Sequence, residues 1–349
     1  MFYGNFTGRM KRQKIPAAEH GTIGLDIGTS NIVVYKRNKS KVSARMESNI
    51  FLTVPSLPQT KKILIGNNIQ FLDIKKSLYI LGNHAKEFAS IMGGRTQQPM
   101  ESGMVNLGED EGVSVIHAIL NRLISPPKKE NEPLWFSIPG KSIDAPGTAS
   151  FNESIFKTYL MNLGYSPQPI NEGMAVLVSE LTDGHTTGIG ISIGGGMCNI
   201  CCAYLSIPVV TYSILMGGDF IDKMVASSVG ESPAKIKSIK EKELDLSGTP
   251  KNNIEHGLHA CFDTLFSTLV KSLEQVLSTS DSLPKLRQAV PIILSGGTVL
   301  AAGSRDKFAS ALQKVKLPLE ISDIALAKNP LHATAKGAFL MAVGKAAKV

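Results

Sequence analysis

The chain has 349 residues, with 37 lysines and arginines against 29 aspartates and glutamates, so its formal net charge is +8; its mean hydropathy is +0.05. The length favours about two domains, and no apolar run approaches the roughly 18 residues that a helical membrane span requires. The basic residues are scattered, without a dense stripe or a nucleic-acid motif, so nucleic acid is not expected as the primary ligand; an acidic partner or a membrane surface fits better.

Residues 1–20 begin with aromatic residues and a basic cluster, MFYGNFTGRMKRQK. They lack the continuous apolar stretch and the small-residue cleavage site of a secretory signal. We therefore expect a flexible N-terminal tail on a cytoplasmic protein. The alternative is a weak anchor at the periphery of the inner membrane, formed by six aromatic and basic residues: Phe2, Tyr3, Phe6, Lys11, Arg12 and Lys14.

Two glycine-containing stretches resemble each other. GTIGLDIGTSNIVVY covers residues 21–35, and GIGISIGGGMCNICC covers residues 188–202. Both stretches are typical of a strand, a glycine turn and a second strand. Three of their residues share one constant offset, which predicts two related halves, each built around a hairpin: Gly24 with Gly190, Ile27 with Ile193, and Gly28 with Gly194.

Strand and helix patterns alternate between the two hairpins. FLTVPSLPQTKKILIG predicts strands separated by a proline-rich turn. EGVSVIHAILNRLI has helical spacing and stops at Pro126–Pro127. PLWFSIP predicts a short buried strand, and NESIFKTYLMNLG predicts a helix that is capped near Asn152 and ends at Gly164.

The second part of the chain continues the alternation. QPINEGMAVLVSEL predicts a strand end followed by a helix, and MGGDFIDKMVASSVG predicts a helix that begins after two glycines. Residues 231–251 are charged and predicted to be irregular. HGLHACFDTLFSTLVKSLEQVL predicts a long helix. PIILSGG predicts a strand, and the TVLAAGSRDKFASALQKV that follows it is predicted to be helical. ATAKGAFLMAVGKAAKV predicts a last helix. This alternation predicts an α/β fold with helix-covered sheets.

The four cysteines do not form a disulfide framework. Cys198, Cys201 and Cys202 lie in one predicted strand, and Cys261 is far from them in sequence. Positions three apart on a strand point to opposite faces, which makes a poor zinc site. We interpret them as small buried apolar residues in a reducing compartment.

Three glycine loops predict a site for a polyphosphate. Glycine is required where the backbone approaches a ligand closely or takes positive φ, and a loop that leads into a helix N-terminus favours an anion. Asp26 lies beside the first loop, where a carboxylate holds Mg²⁺ through its waters. The predicted nucleotide-contacting residues of the three loops are Gly28, Thr29, Ser30, Asn31, Ser192, Gly194, Gly195, Gly196, Gly296, Gly297 and Thr298.

These motifs resemble the actin-type ATPase fold that actins, sugar kinases and the seventy-kilodalton heat-shock chaperones share. GLDIGTSNIVVY is similar to the first phosphate loop, IGISIGGG to the second, and IILSGGTVLAAG to the adenosine loop. QQPMESGMV, INEGMA, MGGDFIDKMV and NPLHATAKGAF resemble further segments of bacterial actins such as MreB and MamK, in family order from residue 21 onward. The resemblance implies two duplicated ribonuclease-H-like halves with small subdomains IB and IIB around a nucleotide cleft.

The resemblance also implies residue roles. Asp26 organises Mg²⁺ through water, and Thr29, Ser30 and Asn31 contact phosphate. Glu172 orients the attacking water; the alternative is a helix-start carboxylate that the macrodipole favours. Lys237 contacts the ribose or the adenine. The implied cofactors are ATP, or GTP, and Mg²⁺.

The chain departs from the family at three positions. Ser192 stands where the second phosphate loop normally has an aspartate, Met197 where a threonine follows the glycines, and Ala234 where bacterial actins carry a glutamate near the ribose. Because a serine holds no full charge against Mg²⁺ and its waters, we expect nucleotide binding with only a weak ATPase activity.

The resemblance divides the chain into a tail and four subdomains. The predicted bounds are 1–20 for the tail; 21–49, 100–170 and 334–349 for subdomain IA; 50–99 for IB; 171–212 and 262–333 for IIA; and 213–261 for IIB.

We expect an actin-like cytoskeletal protein that binds Mg-ATP between its halves and polymerises head-to-tail into filaments. Its expected partners are copies of itself, with a membrane surface or cargo and adaptor proteins as further candidates. The alternatives are a non-polymerising ATP-binding scaffold or a chaperone-like factor with a degenerate ATPase site. A sugar or acid kinase is disfavoured, because Ser192 removes the usual general base. We expect no substrate-binding domain after Val349, which disfavours a chaperone.

Overall fold

The computed structural model describes residues 22–38, 41–106, 108, 111–144, 149–181, 186–284 and 288–346. The predicted tail and its alternative as a membrane anchor lie outside the described residues.

The described residues form alternating strands and helices. The strands are β1 (Ile23–Ile27), β2 (Asn31–Asn38), β3 (Lys41–Ser48), β4 (Phe51–Pro55), β5 (Phe71–Ile74), β6 (Ser77–Leu81), β7 (Met100–Glu101), β8 (Met104–Val105), β9 (Glu132–Ile138), β10 (Tyr165–Asn171), β11 (Gly188–Ile193), β12 (Cys198–Tyr204), β13 (Ile207–Ile214), β14 (Val290–Ser295) and β15 (Ile321–Leu326). The helices are α1 (Pro58–Gly66), α2 (Gly82–Met92), α3 (Gly112–Leu123), α4 (Ala149–Asn162), α5 (Glu172–Glu180), α6 (Gly218–Val229), α7 (Pro233–Lys242), α8 (Asn253–Thr279), α9 (Ser304–Leu312) and α10 (Ala333–Ala346), with a 3₁₀ turn at Gly297–Leu300.

Two five-stranded sheets have the same topology. The first has the order β10-β9-β1-β2-β3 and the second β15-β14-β11-β12-β13. In each sheet the central strand pairs antiparallel with its hairpin partner and parallel with a strand from later in the chain. The predicted pair of related halves, each built around a hairpin, is therefore confirmed.

Two helices join the halves. Helix α5 follows the last strand of the first sheet and packs on β11 of the second sheet. Helix α10 follows the last strand of the second sheet and packs on β1 of the first sheet. A Cβ atom at Gly24 would lie 2.1 Å from the Phe339 nitrogen, and one at Gly190 would lie 2.1 Å from the Gly173 oxygen. Glycine at these positions lets each helix approach its central strand closely. The helices bury an alanine-rich core between the sheets.

A small unit stands on the first half. Its sheet has the order β4-β6-β5, and α1 and α2 close a small core around Leu64 and Ile80. The prediction of strands throughout FLTVPSLPQTKKILIG is wrong for its second part, because residues 58–66 form α1. Pro58 lies in the first turn of that helix, where its missing N–H costs nothing, and Leu64 anchors it in the core.

A second small unit stands on the other half and contains α6 and α7. The prediction that residues 231–251 are irregular is wrong for Pro233–Lys242, which is helical, and is confirmed for residues 243–251. The Ser232 hydroxyl accepts a hydrogen bond from the Lys235 amide at 3.3 Å, so a serine cap followed by proline begins the helix. The exact subdomain bounds remain a prediction.

The cysteines of the second hairpin are buried, as interpreted. Cys198, Cys201 and Cys202 are free thiols in the second half, and burial raises the pKa of Cys202 to about 11. None of the helices in the described part of the chain combines the length and the apolar character that crossing a bilayer requires.

Candidate functional site

A cleft of about 1250 Å³ lies between the halves. It brings together every residue that the sequence assigned to the site. The cleft is lined by Asp26, Gly28, Thr29, Ser30, Asn31, Glu172, Ser192, Gly194, Gly195, Gly196, Lys237, Gly296, Gly297 and Thr298.

The first loop is held by its own turn and by a buried asparagine. The Gly28 amide donates to the Asn31 oxygen at 3.0 Å, and the Gly194 amide makes the equivalent bond to Met197 in the second loop. Asn49 is fully buried; its side-chain amide donates to the Gly28 oxygen at 2.9 Å, and its backbone amide donates to the Ser30 oxygen at 2.9 Å. The first loop is thus a preformed structure.

The first and second loops face each other across a narrow gap. A Cβ atom at Gly195 would lie 2.3 Å from the Ser30 hydroxyl oxygen, and one at Gly196 would lie 2.5 Å from the Thr29 hydroxyl oxygen. Any side chain at these glycines would separate the loops. Their backbone amides therefore line the same space as the hydroxyls of the first loop.

The β7–β8 hairpin forms one wall of this gap. Ser102 and Gly103 at its tip have φ values of 48° and 73°. The Gly103 amide donates to the Thr29 hydroxyl at 3.1 Å, and the Asn152 side chain donates to the Gly103 oxygen at 2.7 Å. Asn152 is not the helix cap that its position suggested: α4 begins at Ala149, and Asn152 holds the hairpin instead.

Met197 of the second loop packs beneath this hairpin. A Cβ atom at Gly103 would lie 2.2 Å from the Met197 methyl carbon. The residue that replaces the expected threonine thus fills an apolar contact between the halves and offers no hydroxyl to a ligand. Glu101 of the hairpin and Lys223 of α6 also form an ion pair across the cleft.

Asp26 lies in β1 beside the first loop. Its carboxylate accepts a hydrogen bond from the Ser137 hydroxyl of β9 at 2.6 Å. Burial raises the pKa of Asp26 to about 6, and the Ser137 bond opposes the rise. The carboxylate is therefore oriented but costly to ionise without a cation.

Glu172 is the first residue of α5, and the Asn171 side chain caps that helix. Burial raises the pKa of Glu172 to about 8; the negative charge of Asp26 adds to the rise, and a hydrogen bond from Ser192 and the nearby Asn199 side chain oppose it. Asn199 is itself oriented, because the Gly140 amide donates to its side-chain oxygen at 3.0 Å. Two carboxyls that repel each other in a buried place form a site that a cation stabilises.

The raised pKa of Glu172 predicts that the free energy of unfolding of the nucleotide-free protein depends on pH. Between its ordinary pKa of 4.5 and about 8, folded Glu172 keeps a proton that the unfolded chain has released. Rising pH therefore lowers the free energy of unfolding across this range, by at most about 1.4 kcal/mol per pH unit from one carboxyl. Urea unfolding of wild type and Glu172→Gln over the same range measures it. Equal slopes in the two proteins would show that Glu172 does not titrate this way.

The third loop joins the second through Thr298. Gly296 has a φ of 98°, and its Cβ atom would lie 2.2 Å from the Ile193 oxygen, so only glycine fits. The Thr298 hydroxyl donates to the Gly194 oxygen at 2.8 Å. Lys237 enters from α7, and its amine lies 3.3 Å from the Ser30 hydroxyl and 3.9 Å from the Asp219 carboxylate.

These residues fit a magnesium nucleotide. The glycine loops leave a cradle that side chains would fill, and the two carboxyls and the hydroxyls would supply oxygen ligands. The described ranges contain no group of three or more His, Cys, Asp or Glu side chains placed to hold a metal ion.

Sequence reasoning missed the residues that support the site: Asn49, Ser137, Asn152 and Asn199. Each acts through a partner far away in sequence; Ser137 and Asp26, for example, are 111 positions apart. Single polar residues of this kind have no local pattern. Only Asn199 had a signal, since it lies in the hairpin register directly opposite Ser192.

Known proteins share this architecture. The MamK double helical filament superposes with a TM-score of 0.71 at 16% identity, covering 92% of this chain and 98% of that chain. MreB5 of Spiroplasma citri bound to AMPPNP gives 0.67 at 16% identity over 93% and 97%. The ethanolamine utilization protein EutJ from Carboxydothermus hydrogenoformans gives 0.55 at 16% identity over 91% and 89%. Among curated protein sequences, no match was found.

These likenesses confirm the predicted fold, with two duplicated halves around a cleft. At 16% identity they establish the fold alone. The family model described as Volactin matches residues 22–342, which is nearly the whole chain. The chain therefore belongs to the Volactin family and has the actin-like fold.

Proposed function

We propose that the chain binds Mg-ATP, or Mg-GTP, in the cleft and polymerises head-to-tail into filaments, with slow hydrolysis. One observation carries the nucleotide part: three glycine loops from different parts of the chain converge on one cleft that also holds Asp26 and Glu172. Structures of MreB5 with AMPPNP and with ADP, and of a MamK mutant with AMPPNP, support this assignment by likeness of fold.

The proposed roles of the residues follow from their places. Thr29, Ser30 and the amides of Gly194–Gly196 contact phosphate, and Lys237 reaches the same gap from α7. Asp26 faces the cation through water. Glu172 would orient the attacking water in its ionised form, which a bound cation would favour. Bound Mg²⁺ would neutralise charge on the phosphates.

Slow hydrolysis is proposed because the second loop lacks a carboxylate. Ser192 is 4% exposed and hydrogen-bonds to Glu172. It orients that carboxyl but contributes no charge to a cation. The carboxyl whose pKa is raised by the charge of Asp26 is Glu172, and it also has to position water.

Filament assembly is proposed from the shape of the molecule and from its likeness to the MamK filament. Head-to-tail contacts join two different surface patches of neighbouring copies. Such contacts do not form a closed dimer, and each added copy extends a filament. The small units, within about residues 50–99 and 213–261, would form much of this contact. Nucleotide sets the angle between the halves and so shifts the population of the assembling form.

Sedimentation tests the assembly. We expect micromolar protein to pellet with Mg-ATP and to show filaments in negative stain. Both small units carry exposed lysines, so added salt should change the pelleted fraction, because it screens surface charges beyond about 8 Å at physiological ionic strength. Protein without nucleotide is the control. Protein that stays in the supernatant at every salt and protein concentration would contradict filament formation.

The second candidate is a non-polymerising ATP-binding scaffold. Ser192 and Met197 favour it, since both stand where the related proteins carry groups that a working ATPase uses. Partners other than a second copy, namely a membrane surface or cargo and adaptor proteins, remain proposals, as does the cytoplasmic location.

A further inference from the structure

Helix α7 buries a lysine where its apolar face enters the core. Its two buried residues, Ile236 and Lys240, are four positions apart and therefore lie on the same face. The Lys240 amine lies 2.7 Å from the Asp222 carboxylate of α6, and the two side chains are 6% and 4% exposed. An apolar pair of similar volume would often be as stable or more stable, because two buried charges lose their hydration. Core packing therefore does not explain this pair.

The pair connects directly to the second loop. The Lys240 amine also donates to the Gly218 oxygen at 2.8 Å, and the Gly218 amide donates to the Gly194 oxygen at 2.9 Å. Thr298 of the third loop donates to the same Gly194 oxygen. A charge on α7 is thus linked through the first turn of α6 to two of the three loops.

The contact is tight at Gly218. A Cβ atom there would lie 2.8 Å from the Thr298 hydroxyl and 3.0 Å from the Lys240 amine. Lys237, almost one turn earlier on α7, points to Ser30 of the first loop. Helix α7 therefore contacts the first loop through one lysine and the backbone that supports the second loop through the other.

We propose that Lys240 and Asp222 are a positioning pair of the cleft. Lys240 holds the first turn of α6, and that turn holds the second loop in the position where its amides face Thr29 and Ser30. Asp222 holds Lys240 in place and balances its charge. The inference rests on the proposed function insofar as the positioned loop is the one that binds phosphate, but the positioning itself is measurable without nucleotide.

The test replaces the pair by apolar residues, in Lys240→Met/Asp222→Leu. We expect unfolding at a urea concentration equal to or above that of wild type. The amides of Gly218 and Asp219, which donate to the second loop, should exchange hydrogen about tenfold faster, because they lose a charge-assisted anchor. Amides of α8 serve as the internal reference. The dissociation constant of Mg-ATP should rise by about the same factor.

A matched control removes an ion pair outside the cleft. Lys307 and Asp263 lie 2.9 Å apart, and Lys307→Met/Asp263→Leu should leave the exchange of Gly218 unchanged. Unchanged exchange in the cleft variant would overturn the inference. If that variant does not fold, Asp222→Asn decides, since it keeps the side-chain shape and should still speed exchange at Gly218. Absence of Mg-ATP binding by wild type would contradict the proposed function alone.

Discussion

Gly196→Val should abolish the stabilisation that Mg-ATP gives the wild-type protein. Any Cβ atom at this position would lie 2.3 Å from the Gly103 nitrogen and 2.5 Å from the Thr29 hydroxyl. A valine therefore has to push the second loop away from the first, and the phosphate cradle opens. A ligand that binds only the folded state at a hundredfold excess over its dissociation constant stabilises it by about 2.7 kcal/mol. The variant should lose all of this.

Thermal unfolding with and without Mg-ATP measures the effect. Gly66→Val is the matched control, because nothing lies within 4 Å of a Cβ atom at the end of α1. This control should show the full thermal shift. A shift in Gly196→Val equal to that of wild type would mean that nucleotide does not bind between these two loops.

Glu172→Gln should lower ATP turnover by about a hundredfold or more, the usual loss when a residue that assists proton transfer is removed. The amide keeps the volume of the side chain and can still accept the hydrogen bond from Ser192 through its oxygen, but it cannot accept a proton from water. Binding of Mg-ATP should persist, because the loops are untouched. Phosphate release under saturating nucleotide measures turnover, and calorimetry measures binding.

Ser192→Asp is the complementary change. It restores a charge in the second loop at a position that already faces Glu172, so turnover should rise when Mg²⁺ is present. A wild-type rate that Glu172→Gln leaves unchanged would show that another residue orients the water. A slower Ser192→Asp protein would show that the second loop does not limit hydrolysis.

Local patterns were enough for most of the architecture. The two hairpins, the strand before α5, the helix after Gly217 and Gly218, and the long α8 lie where the sequence predicted them. Three segments were predicted wrongly: α1, α7, and residues 298–315, where a 3₁₀ turn and α9 are separated by a break at residues 301–303. In α1 and α7, a proline at the helix start and a weak apolar face concealed the helical pattern, and a few buried contacts stabilise each helix.

The site residues could also be predicted, because glycine loops and a carboxylate in a strand are short-range signals. Their roles depended on contacts that no short-range signal contains. Asn152 was assigned as a helix cap, yet it holds the β7–β8 hairpin 49 positions away. From the sequence alone, Met197 was interpreted only as the replacement of a threonine. In the fold, its side chain fills the space under Gly103.

The sequence by itself determined the duplicated hairpins, the three loops and the candidate residues, since these follow from glycine conformation and strand periodicity within about fifteen residues. Only the tertiary structure decided that burial raises the pKa of Glu172 to about 8, and that Lys240 is buried against Asp222. Burial and the approach of a second charge depend on how helices from distant parts of the chain pack. The sequence around a charged residue does not indicate whether that residue is exposed to water or buried in a cleft.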